Sequence, residues 1–144
     1  MIILACDHRG YRLKEEIKKF FYDESITTID VGTYSEEKVD YPDFAKLGIS
    51  KVLQNSQNVG IFICGTGLGM VMCANRNPKI RAALCTNVNY AKMARKHNNA
   101  NVLVLPGNNM SKLKAIRIIK EFLTTDFDGG RHSERLKKFW GVKW

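Results

Sequence analysis

No run of apolar residues in this 144-residue chain approaches the ~20 that a membrane-spanning helix needs. The four cysteines, Cys6, Cys64, Cys73 and Cys85, form no CxxC pair, which excludes a metal knuckle or a thioredoxin-type redox centre. The N-terminus, MIILACDHRG, has no basic residue ahead of its apolar run and is too short for a secretory leader. It reads instead as the first strand of the fold. A cytoplasmic location is therefore the expectation, with the cysteines as free thiols. Linkers, repeats and low-complexity segments are absent, and the length suits one domain. Acidic residues are scarce, 14 against 23 basic, for a net charge of +9. Ser111 to Trp144 carry nine of the basic residues and four acids. A basic end attracts an anion, either a phosphate ester or a nucleic acid, although scattered lysines serve equally well as a solvated face.

What is present is an alternation of short apolar runs and helical periods. Ile2–Cys6, Thr27–Val31, Val59–Cys64, Ile80–Cys85 and Asn101–Leu105 read as five strands. Between them, Leu13, Ile17, Phe20 and Phe21 share one helix face, as do Ala45, Gly48, Ile49, Val52 and Leu53 after Pro42. Further helices follow the glycines after Cys64 up to about Pro78, over Tyr90–His97, and over Ala115–Leu123. A last basic helix is expected from Ser133 to about Trp140, free to leave the body at Gly129–Gly130. Strands separated by helices specify an α/β fold: a three-layer, doubly wound, five-stranded parallel sheet, Rossmann- or flavodoxin-like, with expected order 2-1-3-4-5. Ligands of such sheets bind beyond the carboxyl ends of the strands, at the switch point between strands 1 and 3. Asp7–His8 and Cys64–Gly65–Thr66 stand there.

The stretch FICGTGLGM, Phe62–Met70, carries the strongest local signal. It is not a dinucleotide loop, because its pattern is GxGxG after the third strand and no acid ends the fourth. It is not a phosphate loop of the GK[ST] kind either. Glycines let backbone N–H groups crowd at a helix start, where they stabilise an anion or a developing oxyanion. A thiol beside that positive end favours the thiolate. Cys64 and the glycines thus offer a base and an oxyanion site together; a plain tight turn is the other reading of Gly65, Gly67 and Gly69. Cys6, Cys73 and Cys85 read as small buried hydrophobes. Of the three histidines, His8 and His97 fall at strand and helix ends expected to line one cleft. Arg131 and Arg135, four apart, share a helix face where two guanidinium forks can hold one phosphate.

Six segments in order, ACDHRGYRLK, IDVGTYSEEKVDYPDFA, ICGTGLGM, ANRNPKIRAALC, ARKHNNANVLVL and GGRHSERL, cover nearly the whole chain. Jointly they resemble the type B ribose-5-phosphate isomerases, within the larger family that includes bacterial galactose-6-phosphate isomerase subunits. The resemblance implies an aldose–ketose isomerase of the pentose phosphate pathway that works through an enediolate, with no metal or organic cofactor. It implies that Cys64 is the base, with Thr66 assisting. Gly65, Gly67, Leu68 and Gly69 would cradle the enediolate oxygens by backbone N–H groups. His97 would open the sugar ring, Asn98 and Asp7 would bind hydroxyls, and Tyr41 would line the site. His8, Arg131 and Arg135 would hold the phosphate, with both arginines, and the helix of about 131–144, reaching in from the partner of a homodimer. Pairing of dimers into tetramers stays open, and neither nucleic acid nor membrane is an expected partner.

One position departs from the pattern. Related isomerases usually carry an arginine just after the fifth strand, and here Asn108 occupies that place in Leu105–Pro106–Gly107–Asn108–Asn109. The loss removes one phosphate partner. Two other classes of function therefore stand beside the isomerase. One is a catalytically silent or altered-substrate (hexose 6-phosphate) sugar-phosphate-binding protein. The other, ranked last, is a nucleic-acid module in which Phe139, Trp140 and Trp144 stack on bases.

Overall fold

The computed structural model describes residues 1–139. The strands are β1 (Ile2–Cys6), β2 (Thr28–Asp30), β3 (Val59–Cys64), β4 (Ala82–Leu84) and β5 (Val102–Pro106). The helices are α1 (Tyr11–Asp23), α2 (Tyr41–Val52), α3 (Leu68–Ala74), α4 (Val88–Asn98), α5 (Lys112–Thr124) and α6 (Arg131–Leu136). All strand pairs are parallel, as the strand–helix alternation requires. Strand side chains alternate between two apolar layers. Leu4, Cys6, Ile61, Ile63, Leu103 and Leu105 face α1, α4 and α5. Ile3, Ala5, Phe62, Cys64, Val102 and Val104 face α2 and α3. Cys6 and Cys64, both at strand ends, therefore lie on opposite faces of the sheet.

The sheet order is β2-β1-β3-β5-β4, which corrects the expected exchange-free order of the last two strands. The physical reason is burial. Val102–Leu105 is apolar throughout and wholly buried, so it takes a central place with a neighbour on each side. β4 is three residues long, half-buried and preceded by Arg81, which suits an edge. The chain passes from β3 outward to β4 and then returns inward to β5. A right-handed connection in the reversed direction puts its helix on the other face, so α4 packs with α5 rather than beside α3.

Local signals set the helix starts. Asn87 accepts the backbone N–H of Tyr90 at 2.9 Å, and Ser111 accepts that of Lys114 at 3.3 Å, each capping a helix. α2 begins at Tyr41 with Pro42 in its first turn. The last helix begins at Arg131, two residues earlier than the periodicity suggests, and ends at Leu136. It does not leave the body: His132 and Leu136, one turn apart, are buried against the protein, and α6 packs on α4. The expected continuation to Trp140, and Trp144, lie outside the described residues. No described helix is long and apolar enough to cross a membrane.

Candidate active site

The register of the three central strands brings three loops to one edge. Cys6 pairs with Ile63, and Cys64 pairs with Pro106. The segments that follow, Asp7–His8–Arg9, Gly65–Thr66–Gly67 and Gly107–Asn108, are consequently neighbours at the carboxyl end of the sheet. Backbone bonds lock them together. Cys64 C=O accepts the Gly107 N–H at 2.7 Å, and Gly65 C=O accepts the Asn108 N–H at 2.9 Å. Asp7 is buried, and its Oδ1 accepts the N–H groups of Arg9 at 2.9 Å and Gly10 at 3.0 Å. That carboxylate shapes the turn into α1 with one oxygen and keeps the other for a further donor.

Cys64 ends β3 with 4% of its surface exposed, facing the α2/α3 layer. Gly67 caps α3 at φ +80, a conformation glycine adopts without strain. Thr66 is exposed, and its hydroxyl accepts the Leu68 N–H at 3.3 Å. Among the described residues the N–H groups of Thr66, Gly67 and Gly69 meet no acceptor. Donors clustered beside a thiol are suited to an oxygen that gains negative charge. Tyr41 roofs the loop: a Cβ on Gly69 would lie 2.7 Å from the tyrosine ring, so only glycine admits this approach. His8 is held by Val39, whose N–H lies 3.3 Å from Nδ1, just before Tyr41. Cys64, Thr66, Asp7, His8, Tyr41, Gly65, Gly67, Leu68, Gly69 and Asn108 thus share this edge.

The remaining cysteines differ in kind. Burial pushes the Cys6 thiol up to about 12 and does the same to Cys85. Both stay protonated near neutrality. Cys73 is partly exposed on α3.

His97 and Asn98 do not join Cys64 within one chain, contrary to the single cleft expected for His8 and His97. They end α4, which runs antiparallel to the strands, and so lie at the opposite edge, before β5 begins. Cys64 is level with Pro106, whereas His97 precedes Val102. The four-residue step along β5 alone spans about 13 Å. Asn98 lines a cavity of about 370 Å³ with Ile80, Arg81 and Ala100 at that edge. The basic segment is there too. His97 and His132 stack with ring centroids 4.2 Å apart and an interplanar angle of 11°. Asp128 is tied to the same helix end, its N–H donating to Lys96 C=O at 3.0 Å and its carboxylate 3.5 Å from Lys96 Nζ. Arg131 and Arg135 are exposed on α6, and neither guanidinium has an acceptor among the described residues. His132, between the arginines in the sequence, was not singled out by spacing; its position one turn before the apolar Leu136 is the signal that marks it as inward-facing.

The molecule is therefore a doubly wound α/β protein with a thiol and free backbone donors at the switch point and a cation–imidazole group at the opposite edge. Residues 2–139 match the Ribose/Galactose Isomerase family, and the chain belongs to it. Among solved structures it is similar to a ribose 5-phosphate isomerase from Thermotoga maritima, 50% identical with a TM-score of 0.95, covering 98% of this chain and 97% of that one. It is likewise similar to ribose-5-phosphate isomerase B of Mycoplasma genitalium with bound ribulose-5-phosphate, 41% identical with a TM-score of 0.89, covering 95% of this chain and 91% of that one. Ribose-5-phosphate isomerase B of Escherichia coli is 34% identical over 142 residues, 99% of this chain and 95% of that protein.

Proposed function

We propose that the chain interconverts ribose 5-phosphate and ribulose 5-phosphate in the cytoplasm, in a homodimer whose two sites are each built from both copies. The observation that carries the reading is the placement of Cys64 at the head of a loop with unclaimed backbone donors. The family and the ribulose-5-phosphate in a neighbour's structure support the substrate.

The Cys64 thiolate takes the C2 proton of the open-chain aldose. The electron pair moves to the carbonyl, and negative charge gathers on O1. N–H groups of Thr66, Gly67 and Gly69 stabilise that oxygen. The O2 hydroxyl proton then passes to O1, and the electron pair left on O2 closes the C2 carbonyl. The C1=C2 pair takes the proton back from the Cys64 thiol at C1, which gives the ketose and restores the thiolate. Asp7 and Tyr41 bound the sugar, and His8 faces the phosphate. Ring opening precedes this and needs a proton moved from the C1 hydroxyl to the ring oxygen, a task within reach of a neutral imidazole. His97 lies at the wrong edge of its own chain to do it. A two-fold partner brings His97, Asn98, Arg131 and Arg135 to Cys64 as one block, because α6 is docked on α4, and each copy returns the contact. The arginines then hold the phosphate as bidentate forks.

The direct test is conversion of ribose 5-phosphate to ribulose 5-phosphate by the purified protein, with Cys64→Ala as control. Turnover that the substitution abolishes is expected. Wild-type protein that binds ribose 5-phosphate without turning it over would replace this reading with a sugar-phosphate sensor.

A further inference from the structure

The carboxyl edge of the sheet holds a cation that neither the motif pattern nor the proposed chemistry uses. Arg9 follows Asp7–His8 and opens the turn into α1. Its backbone is fixed, since Asp7 Oδ1 accepts its N–H at 2.9 Å. Its side chain lies across the glycine loop: a Cβ on Gly65 would meet Arg9 Cδ at 2.9 Å and Arg9 Cβ at 3.6 Å. The same point is 3.3 Å from Asn108 Nδ2, so the arginine stem and the asparagine amide flank Gly65 together. Arg9 is exposed, and its guanidinium has no acceptor among the described residues. The nearby Arg12, by contrast, is committed to Glu36.

We propose that Arg9 is a binding residue for the phosphate dianion of the sugar and supplies the charge that Asn108 does not. Three observations converge on this. The guanidinium emerges beside the residue that follows Cys64, at the edge His8 shares. Among the described residues no carboxylate is paired with it. Its stem already rests on a backbone surface that only a glycine leaves open, so less side-chain freedom is lost when it closes on a ligand. Asn108 cannot serve in its place: it is uncharged, and its own backbone N–H is spent on Gly65 C=O. A planar fork on a pinned stem suits two phosphate oxygens. The assignment of the ligand rests on the sugar-phosphate reading above.

The test uses Arg9→Gln, Arg9→Lys and the double variant Arg9→Gln/Asn108→Arg, each checked for an unchanged melting curve. Two quantities are read: KM and kcat for ribose 5-phosphate, and the affinity for inorganic phosphate by calorimetry. Arg9→Gln is expected to raise KM about 10- to 100-fold, the range for a lost charge-assisted contact, with a smaller fall in kcat because a remote phosphate contact is mostly uniform binding. Phosphate affinity should weaken in parallel, Arg9→Lys should lose less, and the double variant should recover most of both. In the wild-type background Asn108→Arg should gain less than it does in Arg9→Gln. Unchanged KM and unchanged phosphate affinity in Arg9→Gln, in a protein that turns over ribose 5-phosphate, would overturn the role of Arg9 alone. Phosphate binding that depends on Arg9 in a protein without turnover would instead uphold Arg9 and remove the isomerase reading.

Discussion

The imidazole of His97 lies flat on that of His132, with centroids 4.2 Å apart and planes 11° from parallel. The contact joins α4 to α6 and so sets His97 beside the helix that carries the exposed Arg131 and Arg135. His97, Asp128 and His132 offer ligand atoms all within 4.8 Å of one another.

The pH dependence of stability follows from His132. Burial lowers its pKa from the ordinary value, the charges of His97, Arg131 and Arg135 add to the effect, and Asp128 opposes it. Above the unfolded value of about 6.5 neither state holds the proton, and the contribution is fully present. As the pH falls through that value the unfolded chain takes up a proton the folded one resists, so stability is lost on acidification. Thermal unfolding measured from pH 7.5 down to 5.5 should show a falling midpoint, and His132→Gln should flatten that slope. An identical slope in the variant would contradict the assignment.

Ring opening and proton transfer should separate at His97. His97→Asn is expected to cripple turnover of ribose 5-phosphate, which exists largely as a closed ring. Ribulose 5-phosphate cannot close to a furanose, so its exchange of solvent deuterium should survive the substitution. Equal loss in both assays would place His97 in the proton-transfer step or in the fold.

Cys64→Ala should leave the fold intact and cost about 10²–10⁴-fold in turnover, the usual contribution of a positioned base. Alkylation by iodoacetamide, read by mass spectrometry, should spare Cys6 and Cys85, whose thiols burial holds at about 12. Substrate should protect Cys64 and leave the partly exposed Cys73 unaffected. Retained activity in Cys64→Ala would move the base elsewhere.

A structural ion pair gives a separate check on the core. Lys14 is fully buried, with Nζ 2.6 Å from Asp30 and 2.9 Å from Glu15. Burial alone would raise the Asp30 carboxyl, yet hydrogen bonds from Lys14 and Lys18 hold its pKa below the ordinary value. Asp30→Asn strips Lys14 of its main counter-charge and should cost about 3 kcal/mol by denaturant unfolding. Lys14→Met added to it should restore most of the loss. A cost below about 1 kcal/mol would mean that Glu15 alone suffices.

The fold was largely legible in the sequence because apolar runs of strand length alternate with helical periods, and the Cys64 loop announced itself by its glycines. The order of β4 and β5 was not, since nothing in local periodicity says which of two adjacent strands is the edge; the half-buried alanines of β4 decide that only through packing. The same exchange moved α4 to the other face. His97 is far from Cys64 for a separate reason, since the C-terminal end of a helix between two parallel strands lies at the edge opposite their carboxyl ends. His132 was missed because a residue between two arginines reads as part of a charged face until α6 is seen docked on α4. Arg9 was passed over because its use depends on how closely Gly65 lets its stem approach, a contact between residues 56 positions apart that no spacing encodes.

Complementation between two damaged chains tests the shared site most directly. Cys64→Ala and His97→Asn are each prepared as weakly active homodimers, then denatured and refolded together in equal amounts. Random pairing makes about half the dimers mixed, and two-fold symmetry gives each mixed dimer one doubly damaged site and one intact site. Activity on ribose 5-phosphate should rise toward about a quarter of wild type on that counting. If mixed dimers are present by mass spectrometry and activity stays at the level of the parents, Cys64 and His97 act within one chain or not together at all, and the two-copy site is wrong.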